Sequence, residues 1–143
     1  MKMKIMTGRF ANSAFIYAVL AMVSGVFYRE FTKLNFYDGN TALSVMHTHY
    51  FILGMVFFLV LMLIEKNFGI SAQSKTGLFV ITYQVGLNIT VLSFLIRGIT
   101  QVCQTDISNG MDAFISGIAG TGHIVMSVSM LLLLWRVKKA VKE

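Results

Sequence analysis

The chain alternates between long uncharged stretches and short charged clusters. No residue is charged between Arg9 and Arg29, between Asp38 and Glu65, between Lys75 and Arg97, or between Asp112 and Arg136. These runs contain 19, 26, 21 and 23 residues. A membrane-crossing helix needs about 20 mostly apolar residues to traverse a hydrocarbon core about 30 Å thick. Inside lipid the backbone must pair its own polar groups, and a helix does so within one segment. The pattern therefore predicts four transmembrane helices, over residues 12–28, 41–64, 77–96 and 112–135. Short polar linkers separate them. Tyr37-Asp38-Gly39-Asn40-Thr41 has the composition of a turn followed by a helix N-cap, and Asp106-Ile107-Ser108-Asn109-Gly110 is similar. The expected fold class is all-α: an integral membrane four-helix bundle, one domain over residues 1–143.

Composition agrees with this pattern. The chain is 56% hydrophobic and 13% charged, whereas roughly a quarter of the residues of a soluble domain are charged. Pro is absent, so nothing forces a helix to break. Met1-Lys2-Met3-Lys4 ahead of an apolar run suggests a secretory signal. However, the run exceeds the roughly 7–15 residues of a signal h-region and ends in Val26-Phe27-Tyr28-Arg29-Glu30. It is expected to remain as a helix.

The distribution of Lys and Arg sets an expected orientation. With both termini in the cytoplasm, the inner segments hold Lys2, Lys4, Arg9, Lys66, Lys75, Arg136, Lys138, Lys139 and Lys142, and the outer ones Arg29, Lys33 and Arg97. Nine against three is the bias that cytoplasmic loops carry. The net charge of +6 then follows from topology in a cell membrane, and no nucleic-acid partner is needed to explain it. The single Cys103 allows no internal disulfide. The ten Met residues are mostly spread along the helices, as packing residues would be.

All three His residues fall inside predicted spans: His47 and His49 in the second, His123 in the fourth. Ionisable groups in a bilayer usually face a site or a cavity, and neutral imidazole is the commonest metal ligand. Hydrogen bonding to a neighbouring helix is the plainer role for each. His47 and His49 are separated by about 200° around a helix, so they point to nearly opposite faces and cannot easily hold one ion together. Counted from the outer ends of their spans, His49 lies roughly 12 Å deep and His123 roughly 16 Å deep. Two ligands at these depths on facing helices suit a flat cofactor between them. Beside His123 the sequence is rich in small residues: Ser116, Gly117, Ala119, Gly120, Gly122 and Ser127. These permit close helix approach or leave room for the edge of a porphyrin.

Polar residues elsewhere in the spans have two readings as well. Ser13, Tyr17 and Ser24 share a face of the first helix, and Gln84 and Asn88 are i, i+4 on the third. They suit interhelical hydrogen bonds, or a shell that fixes imidazole tautomers. Arg29 and Arg97 lie at the outer helix ends, as ordinary interfacial residues or as anchors for carboxylates.

The run Val45-Met46-His47-Thr48-His49-Tyr50-Phe51-Ile52-Leu53-Gly54 resembles the His-x-His helix of the haem–copper oxidase and NnrS-like group. In the large oxidases the two His of such a helix ligate haems on opposite faces, so the resemblance implies a haem b held by His. The copper site of an oxidase requires further His residues, which this chain lacks, so dioxygen reduction is not expected of it alone. Along most of its length the chain is also similar to an uncharacterised family of small four-helix membrane proteins of Gram-positive bacteria. The similarity lies in residues 25–33, His47-Thr48-His49 and residues 115–123.

These readings leave three classes of function. One is a haem b protein in electron transfer, haem handling or gas sensing, with His49 and His123 as axial ligands, His47 as the rival ligand, and Arg97 and Arg29 meeting the haem propionates. Another is a small transporter or channel using the His residues as a proton or metal-ion relay. The third is an accessory subunit whose His residues only pack. No catalytic residue is assigned. A homodimer is expected, because one of His47 and His49 faces away from the site that the other shares with His123. The redox partner is not specified by the sequence.

Overall fold

The protein was analysed as a computed structural model that describes residues 2–142, with side chains from Lys4 onward. Four long helices account for nearly all of it. Helix α1 runs Lys2–Leu34, α2 Ala42–Phe68, α3 Thr76–Val102 and α4 Asn109–Ala140. Each is long and apolar enough to cross a membrane.

All four are longer than predicted, α1 most of all, although α2 begins one residue later than expected, after its N-cap Thr41. Charged residues end an apolar run but do not end a helix; Arg29 and Lys33 simply continue it into the interfacial zone. The actual stop signals are local. At the end of α1 the Tyr37 amide donates to Thr32 O at 3.0 Å around Phe36, whose φ is 51°. At the end of α3 the Thr105 amide donates to Thr100 O at 3.0 Å around Gln104, φ 49°. Both are left-handed closures that satisfy the last carbonyls of a helix, formed here without the usual Gly. The starts follow the sequence more closely. Thr41 accepts from the Leu43 amide and Ser108 from the Met111 amide, as N-caps do.

Helix α2 is not uniform. It opens with a 3₁₀ turn over Ala42–Val45, is α-helical over Met46–His49, widens into a π-helix over Tyr50–Val56, and is α-helical again over Phe57–Phe68. Two contacts accompany the widening. The Tyr83 hydroxyl donates to Leu53 O at 2.7 Å, and the Tyr17 ring lies where a Cβ on Gly54 would meet it at 2.6 Å. A side chain bonded to a ladder carbonyl and an aromatic ring pressed on a Gly are the kind of local insertion that π-turns accommodate.

Helix α1 packs along α2, and α3 along α4. The second pair approaches closely because Gly86 and Gly122 face each other's backbones. A Cβ on Gly86 would lie 2.5 Å from Met126 N, and one on Gly122 would lie 2.9 Å from Thr90 N. At one end the pairs join where Leu43 packs on Gly98, Thr41 Oγ1 donates to Gly98 O at 3.2 Å, and the Ala42 amide donates to Gln101 Oε1 at 2.8 Å. At the other end Gln73 Nε2 donates to Arg136 O at 2.9 Å. Between these ends Phe10, Phe58, Tyr83, Leu87 and Leu133 are fully buried.

Polar bonds cross the interior as well. Gln84 Nε2 donates to Ser13 Oγ at 3.1 Å, Asn88 Nδ2 to the Tyr17 hydroxyl at 3.0 Å, and the Tyr50 hydroxyl to Asn88 Oδ1 at 3.2 Å. These are the interhelical bonds that the i, i+4 spacing of Gln84 and Asn88 predicts. In lipid, apolar side chains gain little by leaving the solvent, so packing and such bonds hold helices together, each bond contributing about 0.6–2 kcal/mol. Phe15, Ile124 and Leu131 remain 72%, 66% and 64% exposed, as lipid-facing positions would.

Candidate functional site

The geometry separates the two His residues of α2. His47 turns toward α1, where a Cβ on Gly25 would lie 3.6 Å from its own Cβ. Its Nδ1 is buried and has no hydrogen-bond partner among the described residues. His49 turns to the other side and meets α3 and α4. Its ring centre is 5.0 Å from that of Phe94 and 6.1 Å from that of His123, with the two imidazole planes 87° apart. Phe94 also touches His123, centre to centre 5.8 Å. The structure thus brings together His49 and His123 and keeps His47, the rival ligand in the sequence, apart from them.

Both imidazoles of the pair are oriented in the same way. His49 Nδ1 lies 2.8 Å from Val45 O, and His123 Nδ1 lies 2.8 Å from Ala119 O, each one turn earlier on its own helix. A carbonyl only accepts, so each Nδ1 donates to it, and in the neutral tautomer that this bond selects Nε2 is the acceptor. No partner engages either Nε2 among the described residues. A neutral imidazole held by Nδ1–H on a backbone carbonyl is the arrangement that frees Nε2 for a metal. Neither Gln84 nor Asn88 plays this part; both are committed to α1 and α2.

The surroundings of His123 divide by residue. Gly122 serves the close approach of α3, whereas a Cβ on Gly117 or Gly120 would meet nothing within 4 Å. Ser116, one of the small residues near His123, accepts from Arg97 Nη2 at 2.7 Å. That same Nη2 pairs with Asp112 Oδ1 at 2.9 Å and donates to Asp112 O at 3.2 Å. Arg97 lies three residues beyond Phe94, about 4.5 Å further along α3, so it stands above the His pair toward the nearer helix ends. Arg29 is not part of this cluster. Its side chain is 81% exposed and reaches only Glu30, at 3.9 Å.

Two residues that the charge and His patterns do not single out matter here. Phe94 lies against both imidazoles; an aromatic one turn from Arg97 is its only signal in the sequence. Glu65 bounds an uncharged run in the sequence and resembles an interfacial charge, but it is fully buried. Its carboxylate accepts from the Ser71 amide at 2.9 Å and from the Ser71 hydroxyl, tying the turn between α2 and α3 to α2. Among the described residues no three His, Cys, Asp or Glu side chains gather as ligands to one metal. Cys103 is exposed at the far end of α3.

Four apolar spans packed as a bundle define a multi-pass membrane protein. Over residues 7–140 the chain matches the family described as Protein of unknown function (DUF2871), and it belongs to that family. Comparison with curated proteins and with solved structures gave no match. Neither the family match nor these comparisons support a likeness of the His47–His49 segment to the haem–copper oxidase and NnrS-like helix.

Proposed function

We propose that this membrane protein binds one haem b between α2 and α4, with His49 and His123 as its axial ligands. One observation carries the reading: two imidazoles from different helices meet inside the membrane with Nδ1 bonded to backbone and Nε2 unpartnered. The ring centres lie 6.1 Å apart, so both imidazoles would be available to one metal held between their helices. A bare ion would need further protein ligands, which the described residues do not gather. Haem brings four nitrogens of its own and asks the protein for axial ligands only.

The residues present accommodate such a group with one adjustment. Phe94 lies against both rings and must turn for a planar macrocycle to enter. The open space beside Gly117 and Gly120 supports room on that side of His123. Arg97 is placed to meet a propionate by exchanging its bond to Asp112, while Arg29 is too remote from the pair to be a first choice. Haem would supply one-electron chemistry. Two protein ligands leave no open position on the metal, which favours electron transfer over gas binding.

The orientation with both termini in the cytoplasm and a homodimeric state belong to the same proposal. Only 22–39% of each apolar span window is buried within the chain, so ample surface remains for lipid or a second copy. His47, expected to face a second site or the dimer contact, lies against Gly25 of α1 in its own chain. The relay reading finds its support in the bonded series Ser13–Gln84 and Tyr17–Asn88–Tyr50, which leads to the neighbour of His49. Pyridine-haemochrome and metal analysis of the purified protein separates the two. About one haem per chain, with split reduced α/β bands, supports the proposal. A haem-free chain that carries a metal ion or conducts protons supports the relay.

A further inference from the structure

The end of the bundle where α1 begins and α4 ends has an uneven charge balance. Lys4, Arg9, Lys66, Lys75, Arg136, Lys138, Lys139 and Lys142 lie there, and Glu65 is the only carboxylate there among the described residues. Glu65 is fully buried and taken up by Ser71, so it neutralises none of them. Most of these cations are exposed, and water suffices for them.

Arg136 differs from the rest. It is half-buried, its guanidinium lies over the Phe79 ring of α3 at 5.3 Å and near the Trp135 ring at 6.0 Å, and its Nε is buried. None of its guanidinium N–H groups has an acceptor among the described residues, and the side chain forms no ion pair there; outside the helix ladder its backbone carbonyl accepts from Gln73 Nε2. Gln73 Oε1 beside it is also buried without a partner. A partly desolvated guanidinium over one ring and near another, with its buried Nε donor unanswered, is suited to an anion.

We propose that Arg136, with Lys139, binds the phosphodiester of an anionic phospholipid headgroup. The depth is right. Trp135 is 52% exposed at the end of a long apolar span, where Trp residues mark the membrane interface. Lys139 Nζ lies 4.6 Å from the same Trp135 ring, so two cations converge on one interfacial aromatic. The guanidinium fork matches phosphate oxygens, and the aromatic faces of Phe79 and Trp135 fix its position. Basic pockets between helices are recognised lipid headgroup sites. Here the guanidinium lies where α3, α4 and the turn that precedes α3 meet. The inference is independent of the haem proposal, because no residue is shared.

The test is native mass spectrometry of the delipidated full chain, titrated with phosphatidylglycerol and, separately, with phosphatidylcholine. Wild type is expected to retain phosphatidylglycerol with about tenfold preference. R136Q should lose that preference, whereas K66Q, which removes one charge at the same end, should keep it. Unchanged preference in R136Q, or equal loss in K66Q, overturns the proposal; the second outcome means diffuse attraction. If R136Q does not fold, K139Q replaces it: weakened retention upholds the site and unchanged retention refutes it. Inorganic phosphate should not displace the lipid. Displacement would assign the site to a soluble anion instead.

Discussion

Ala at Gly122 should disrupt the bundle, while Ala at Gly120, two residues away on the same helix, should not. A Cβ on Gly122 would lie 2.6 Å from Thr90 Oγ1 and 2.9 Å from Thr90 N. Ordinary contact begins near 3.4 Å, and backbone cannot swing aside as the end of a flexible side chain can. Helices α3 and α4 would have to separate by roughly 0.5–1 Å along the contact, an overpacking that costs about 1–3 kcal/mol. Ala's better helix propensity offsets little of this, because helices in a membrane stay formed when their packing is lost. A Cβ on Gly120 meets nothing within 4 Å, so Gly120→Ala should lie within about 0.5 kcal/mol of neutral. Unfolding in mild detergent, followed by near-ultraviolet circular dichroism, which reports packing and not helix content, and by thiol exposure at a reporter Cys, measures both. Gly122→Ala should melt about 4–12 °C below wild type, from a cost of about 1–3 kcal/mol at about 4 °C per kcal/mol for a chain near this size. Equal effects of the two substitutions, or none from Gly122→Ala, would refute the account of how α3 and α4 pack.

Three further outcomes follow from the geometry. Replacing Arg97 by Gln should weaken haem retention with little change in melting, since the Arg97–Asp112 pair is partly exposed and exposed pairs contribute no more than about 1 kcal/mol; retention equal to wild type in a haem-loading titration removes Arg97 from the site. Glu65→Ala leaves the Ser71 amide and hydroxyl without their acceptor in a buried turn, and should destabilise by about 2–4 kcal/mol, read as a lower detergent-unfolding midpoint; a midpoint within error of wild type would show that the turn does not depend on Glu65. Cys103, exposed beyond α3, should react with a membrane-impermeant maleimide added outside intact cells, while a Cys placed at Lys142 in a Cys103→Ser background should not; the reverse labelling inverts the proposed orientation.

The four spans are legible because the cost of placing charge in lipid writes them directly into the positions of Lys, Arg, Asp and Glu. Thr41 as an N-cap is legible for a local reason, a polar side chain ahead of an apolar run. The π-turn in α2 is not. Tyr50–Val56 has the composition of any buried helix, and its widening depends on Tyr17 and Tyr83, which come from other helices. The His pair falls between these cases. The spacing of His47 and His49 sends them to different faces, and depth matches His49 with His123. The rotation that chooses His49 over His47 depends on how α2 packs between α1 and the α3–α4 pair. Glu65 was hidden because a carboxylate at a span boundary has an ordinary interfacial explanation, and only the fold reveals Ser71 closing over it. Phe94 was hidden because one aromatic in an apolar helix carries no signal until its neighbours are known.

The central claim is that His49 and His123 together hold one haem. The most direct measurement is the reduced visible spectrum, with and without carbon monoxide, of the haem-loaded protein and of its three single His→Ala variants. The account predicts a low-spin spectrum indifferent to carbon monoxide in wild type and in His47→Ala. In His49→Ala and His123→Ala it predicts a high-spin spectrum that shifts when carbon monoxide occupies the vacated position. Disruption by His47→Ala in place of His49→Ala would reverse the assignment on α2. A protein that takes up no haem, or a spectrum unchanged in all three variants, would contradict the account.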